Sequence, residues 1–64
     1  MKTVRLVYWR DGDFWIGHLD EYPDYSTQGT SLEELKENVL DIYADINAGL
    51  VPDARKAQVL ELTV

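Results

Sequence analysis

The sequence predicts an α+β fold: a single domain of order β-β-β-α-β, with one helix packed on a small mixed sheet. Three observations predict it. Lys2 to Arg10 and Phe14 to Leu19 each alternate in apolar character about Asp11-Gly12-Asp13. Leu32 to Ala48 carries apolar residues at spacings of three and four. Gln58 to Val64 alternates again. Alternation marks strands, and the longer period marks a helix.

In the first strand, Val4, Leu6 and Tyr8 point one way and Thr3, Arg5, Val7 and Trp9 the other. Asp-Gly between two such runs signals a hairpin, because glycine accepts the positive φ of the primed turns. In the returning strand, Phe14, Ile16 and His18 share one side, and Trp15, Gly17 and Leu19 the other. Asp20 to Tyr25 forms a bend: Pro23 lacks a backbone donor and biases Tyr22 away from helix. Ser26-Thr27-Gln28, beginning at Tyr25, is short, polar and tolerant of a strand, and is read as the third.

The helix opens at a capping box. The Ser31 hydroxyl faces the N–H of residue 34, and the Glu34 carboxylate faces the N–H of residue 31. Thr30 with Glu33 is the same box one position earlier. Glu33 and Glu34 place negative charge at the positive end of the helix dipole. Gly29 is expected to let the chain turn sharply before the cap through a positive φ. Leu32, Leu35, Val39, Ile42 and Ile46 form one apolar stripe, widened by Leu40 and Tyr43. Glu33, Glu37, Asp41 and Asp45 line the far side, either as a solvated face or as a surface kept acidic for a basic partner. Gly49 supplies a left-handed residue at the end of the helix, and Pro52 prevents its resumption. Leu50 to Lys56 connects to a fourth strand, Gln58 to Val64, which a right-handed crossover would place parallel to a neighbour.

One helix covers one side of a sheet. The uncovered side is expected to carry residues such as Trp9, Trp15 and Leu19, although alternation alone leaves open which set faces the helix. Either assignment leaves apolar side chains for something else to cover, which is the mark of an interface.

Composition narrows the function classes. The chain has 64 residues, no cysteine and a single histidine, His18. Disulfides and thiolate metal sites are therefore excluded, and stability must come from a small core supplemented by subunit contact. A formal charge of −6 argues against nucleic-acid binding, which needs clustered Lys and Arg. The first residues lack a signal-peptide layout, and no segment has the ~20 apolar residues of a membrane span. A cytoplasmic chain is the expectation.

Phe14-Trp15-Ile16-Gly17-His18-Leu19, then Pro23, then Thr27-Gln28-Gly29-Thr30-Ser31-Leu32-Glu33-Glu34-Leu35-Lys36-Glu37-Asn38 resembles the HicB-like antitoxins. The resemblance extends over nearly the whole chain, with its specific core at Thr27 to Asn38. It implies a partial RNase H-like fold of β-β-β-α-β order. It also implies a role in bacterial toxin–antitoxin systems, in which the antitoxin domain binds and masks a small basic HicA-type toxin, an RNA-cleaving enzyme. Many HicB-like proteins continue into a DNA-binding domain. The expectation here is one HicB-like domain over residues 1–64 without it. The alternative is an orphan homo-oligomeric scaffold with no toxin partner.

Catalysis has weaker grounds. Asp11, Asp13, Asp20, Glu21 and Asp24 cluster in turns and could hold Mg²⁺, but Asp is common in turns for local hydrogen bonding. His18 could act as a base or bond across a strand pair, and Ser31 is accounted for as a cap. An RNase H-like outline does not itself confer RNase H chemistry. The reading therefore expects no enzyme, no catalytic or metal-binding residues and no cofactor. Tyr8, Trp9, Trp15, Tyr22 and Tyr25 are a heavy aromatic load, and with only six Lys and Arg they favour core or protein-interface packing over stacking on bases. Trp9, Trp15, Tyr22 and Tyr25 are the candidate partner anchors, and Asp20, Glu21 and Asp24 the candidate electrostatic contacts. A homodimer, formed through strand edges, is expected.

Overall fold

The computed structural model describes residues 2–64. The element order is β1 (Leu6–Asp11), β2 (Phe14–Leu19), β3 (Thr27–Gly29) and α1 (Leu32–Asn47). The three strands form one antiparallel sheet in the order β1-β2-β3, and the fold is α+β.

The hairpin turn fixes the register. Asp11 lies opposite Phe14, so the loop is Gly12-Asp13 alone. Gly12 has φ +60°, while Asp13 is not among the positive-φ residues, as a type II′ turn requires. The ladder then pairs Trp9 with Ile16, Tyr8 with Gly17 and Leu6 with Leu19. Directly opposed residues share a side of the sheet. Val4, Leu6, Tyr8, Trp15, Gly17 and Leu19 therefore lie on the helix side, and Val7, Trp9, Phe14, Ile16 and His18 on the other. This corrects the expectation that Trp15 and Leu19 share the uncovered side with Trp9.

The helix starts and stops where its chemistry dictates. The Ser31 Oγ accepts from the Glu34 N–H at 3.1 Å. The Glu34 carboxylate accepts from the Thr30 N–H at 3.0 Å, one residue earlier than the reciprocal bond expected of a capping box. At the other end Gly49 has φ +75°. The Gly49 N–H donates to Ile46 C=O at 3.1 Å and the Leu50 N–H to Asp45 C=O at 3.0 Å, the paired bonds of a Schellman motif.

Leu35 is fully buried, and with Leu19 and Val39 it forms the core. Val4, Leu6, Trp15, Tyr22, Leu32 and Tyr43 pack around it. Two glycines permit this docking. A β-carbon on Gly29 would lie 2.6 Å from the Leu35 nitrogen, and one on Gly17 would lie 3.2 Å from the Leu35 Cδ2 as well as 2.8 Å from the Val7 carbonyl oxygen. Gly29 does not have positive φ. It is required by the closeness of the helix backbone, which corrects its expected role in a sharp turn. The Asn38 side chain donates to Gln28 C=O at 2.8 Å and ties α1 to β3.

The fourth strand is not formed in this chain. Residues 58–64 have no strand pairing, so the sheet is purely antiparallel and not mixed. The third strand begins at Thr27, two residues after the expected Tyr25. The Tyr25 N–H is held in a turn by Tyr22 C=O at 3.2 Å, which keeps it off the ladder.

Candidate functional site

The helix lies over β2 and β3 and leaves two apolar surfaces open, to each of which β1 contributes. The first is the side of the sheet away from the helix. Val7, Trp9 and Phe14 are each more than two-fifths exposed there, with half-buried Ile16 and His18 between them. The Trp9 and His18 rings meet edge to face, with centroids 5.9 Å apart. The His18 Nδ1 lies 2.7 Å from Leu19 C=O, which fixes the imidazole against the strand.

The second surface is a groove between β1 and α1. It has a volume of about 290 Å³ and is lined by Val4, Leu6, Tyr8 and Leu19 from the sheet side and by Leu32, Lys36, Val39 and Leu40 of α1. Leu40 is 54% exposed. Leu6 and Tyr8 of β1 form its sheet wall, and Leu32, Val39 and Leu40 of α1 form its helix wall. An apolar channel beside an unpaired strand edge suits an extended polypeptide, whose backbone can bond to the edge while alternate side chains fill the channel.

The residues singled out from sequence as partner contacts do not form one patch. Trp9 is exposed on the uncovered side of the sheet. Trp15 is on the helix side, half-buried, beneath the Arg10 guanidinium at 5.0 Å and beside the Tyr8 ring at 5.9 Å. Tyr22 packs against the core, and its ring meets that of Tyr25 at 6.4 Å. Asp20 is bonded to Arg5 at 2.8 Å and Glu21 to Lys56 at 2.7 Å. Both carboxylates thus have partners inside the chain. Asp24 is exposed.

The sequence placed Val7 on the side of Trp9 but missed Phe14 and Ile16 as their companions. The signal was present: a two-residue loop at Gly12-Asp13 forces Trp9 opposite Ile16. On α1, Glu33, Glu37, Asp41 and Asp45 are all exposed, and Lys36 reaches Glu33 at 3.2 Å. Among the described residues, no three His, Asp or Glu side chains converge in a way that could hold a metal ion, and no helix is long and apolar enough to cross a membrane.

The Tyr43 hydroxyl is held below the usual tyrosine range, first by its hydrogen bond with Asn47 and then by Lys2. The Lys2 ammonium also sits 5.7 Å from the Tyr43 ring, linking the start of the chain to α1.

Compared with family models, with curated proteins and with solved structures, the chain matches none.

Proposed function

We propose that this chain is a HicB-like, antitoxin-type binding module that masks a small basic HicA-type RNA-cleaving toxin by protein–protein contact. The observation that carries the reading is the uncovered side of the sheet, where Val7, Trp9 and Phe14 stand exposed together. Aromatic and aliphatic side chains clustered on a rigid strand pair are the usual anchors of a protein interface. The acidic ribbon on α1 and the formal charge of −6 suit a basic partner, since complementary charge speeds and orients association. The sequence resemblance at Thr27 to Asn38 supplies the toxin class.

The test is to recover the partner of the tagged chain from its native host and assay that partner for RNA cleavage. The reading expects a small basic ribonuclease that is silenced by stoichiometric addition of the chain, with silencing weakened by Trp9→Ser. Recovery of no such protein, or a ribonuclease indifferent to the chain, contradicts it.

A second reading, a homo-oligomeric scaffold with no toxin partner, is favoured by the open β1 edge together with the unpaired 58–64 segment. A chain that associates only with itself would support it. Neither reading assigns catalysis, a cofactor or direct nucleic-acid binding, and neither requires a membrane. The cytoplasm is the setting proposed for both.

A further inference from the structure

We infer that the 58–64 segment of one copy adds as a strand to the free edge of β1 in a second copy, with Leu60, Leu62 and Val64 seated in the groove between β1 and α1. This rests on the proposal that the chain's open surfaces hold another polypeptide, and it names the polypeptide and the place.

The edge is chemically ready. The Asp20 N–H donates to Arg5 C=O at 2.8 Å, continuing the β1–β2 ladder, in which Leu6 lies opposite Leu19. Backbone groups along an antiparallel strand point alternately toward and away from the neighbour. The N–H and C=O groups of Leu6, Tyr8 and Arg10 therefore point away from β2, and β1 is an outer strand of the sheet. Such a row of unpaired groups is a template for another strand.

The segment is equally unfinished. Among the described residues, none of 58–64 takes part in a backbone hydrogen bond outside the helix and strands. Leu60 is 81% and Leu62 78% exposed. Its pattern is two-sided: Leu60, Leu62 and Val64 on one side, Val59, Glu61 and Thr63 on the other. That asymmetry matches a groove on one side and a more open sheet surface on the other. Seven extended residues span about 23 Å and the six of β1 about 20 Å, at ~3.3 Å per residue.

A second copy is the occupant that the geometry favours. The chain's own segment is unpaired, although its start is fastened beside the sheet. The Ala57 N–H donates to Glu21 C=O, and Lys56 pairs with Glu21. The other outer strand, β3, has only three residues, and its Gln28 C=O is taken by Asn38. Each copy thus offers one long edge, β1, and one unpaired segment, and a reciprocal exchange about a two-fold axis satisfies both.

The experiment compares the 64-residue chain with Leu60→Asp/Leu62→Asp. Both positions are exposed, so the variant retains the hairpin and helix, which circular dichroism confirms. Solution mass and amide hydrogen exchange at Leu6, Tyr8 and Arg10 are read for each. The expected result is a dimer with these amides protected in the parent, and a monomer with protection lost in the variant. A dimer that survives in the variant overturns this inference and leaves the broader reading standing, with the second copy held elsewhere. A monomeric parent whose amides are protected, and lose that protection in the variant, shows the segment closing its own edge and also overturns it. A monomeric parent with unprotected amides overturns it as well, and then only recovery of a different partner sustains the broader reading.

Discussion

The β-carbon that Gly29 lacks would fall 2.6 Å from the backbone nitrogen of Leu35. Strand β3 and the first turn of α1 therefore meet backbone to backbone, and this contact seats Leu35, the one fully buried large side chain among the described residues. Gly29→Ala must push the helix off the sheet and is expected to cost about 2–3 kcal/mol, in the range of overpacked cores. Gly12→Ala has open space around it but a φ of +60°, and is expected to cost only about 1 kcal/mol. Urea unfolding of both variants checks the order. A Gly29→Ala chain as stable as its parent would refute the close docking.

The cap is testable separately. Ser31→Ala removes the oxygen that accepts from the Glu34 N–H at 3.1 Å and is expected to cost about 1 kcal/mol. Ser31→Asp supplies another acceptor and should remain close to the parent. Thermal unfolding distinguishes the two. Equal losses for both variants would mean that the hydroxyl is not acting as a cap.

Trp9 and Trp15 occupy opposite sides of the same hairpin and should respond differently. Trp15→Ala removes a half-buried ring packed against the core and is expected to cost about 2 kcal/mol or more. Trp9→Ser removes a ring 45% exposed, and should shift the stability of the isolated subunit by no more than about 0.5 kcal/mol. Denaturation under conditions that keep the subunit alone reads the difference. A large loss for Trp9→Ser would place that ring in the core and remove it from any interface.

Tyr43 gives a pH signature. Its hydroxyl is favoured in the deprotonated form by Asn47 and then Lys2, so its folded pKa lies below its unfolded one. Such a group stabilises the fold above the unfolded value, and the contribution is lost as pH falls through the folded value. It is therefore confined to alkaline pH and absent at neutrality. Ultraviolet titration of the four tyrosines should show one ionising early, and Tyr43→Phe should abolish that phase. An unchanged early phase in the variant would assign it elsewhere.

Much of this architecture was legible in the residues. Asp11-Gly12-Asp13 marks the hairpin, Ser31 and Gly49 bracket the helix, and the stripe through Leu35 and Val39 is the buried one, because each signal is local. What alternation could not decide was which side of β1 joined which side of β2. That depends on whether the loop holds two residues or three, and a change of one residue exchanges the two sides of a strand. The fourth strand failed for a related reason. Gln58 to Val64 has the pattern of a strand, but a pattern needs an edge to pair with, and this chain does not bring its own to it. The candidate site was the least legible part. Asp20 and Glu21 read as free acids, and only the folded arrangement brings Arg5 and Lys56 to them.

The claim on which the account depends is that the exposed surfaces of β1 are covered by another polypeptide. Its most direct test is the sedimentation mass of the folded chain at micromolar concentration, alone and after mixing with the basic protein recovered from its host. The account predicts a particle heavier than a single chain in at least one of the two. A folded species of 7.4 kDa in both would contradict it.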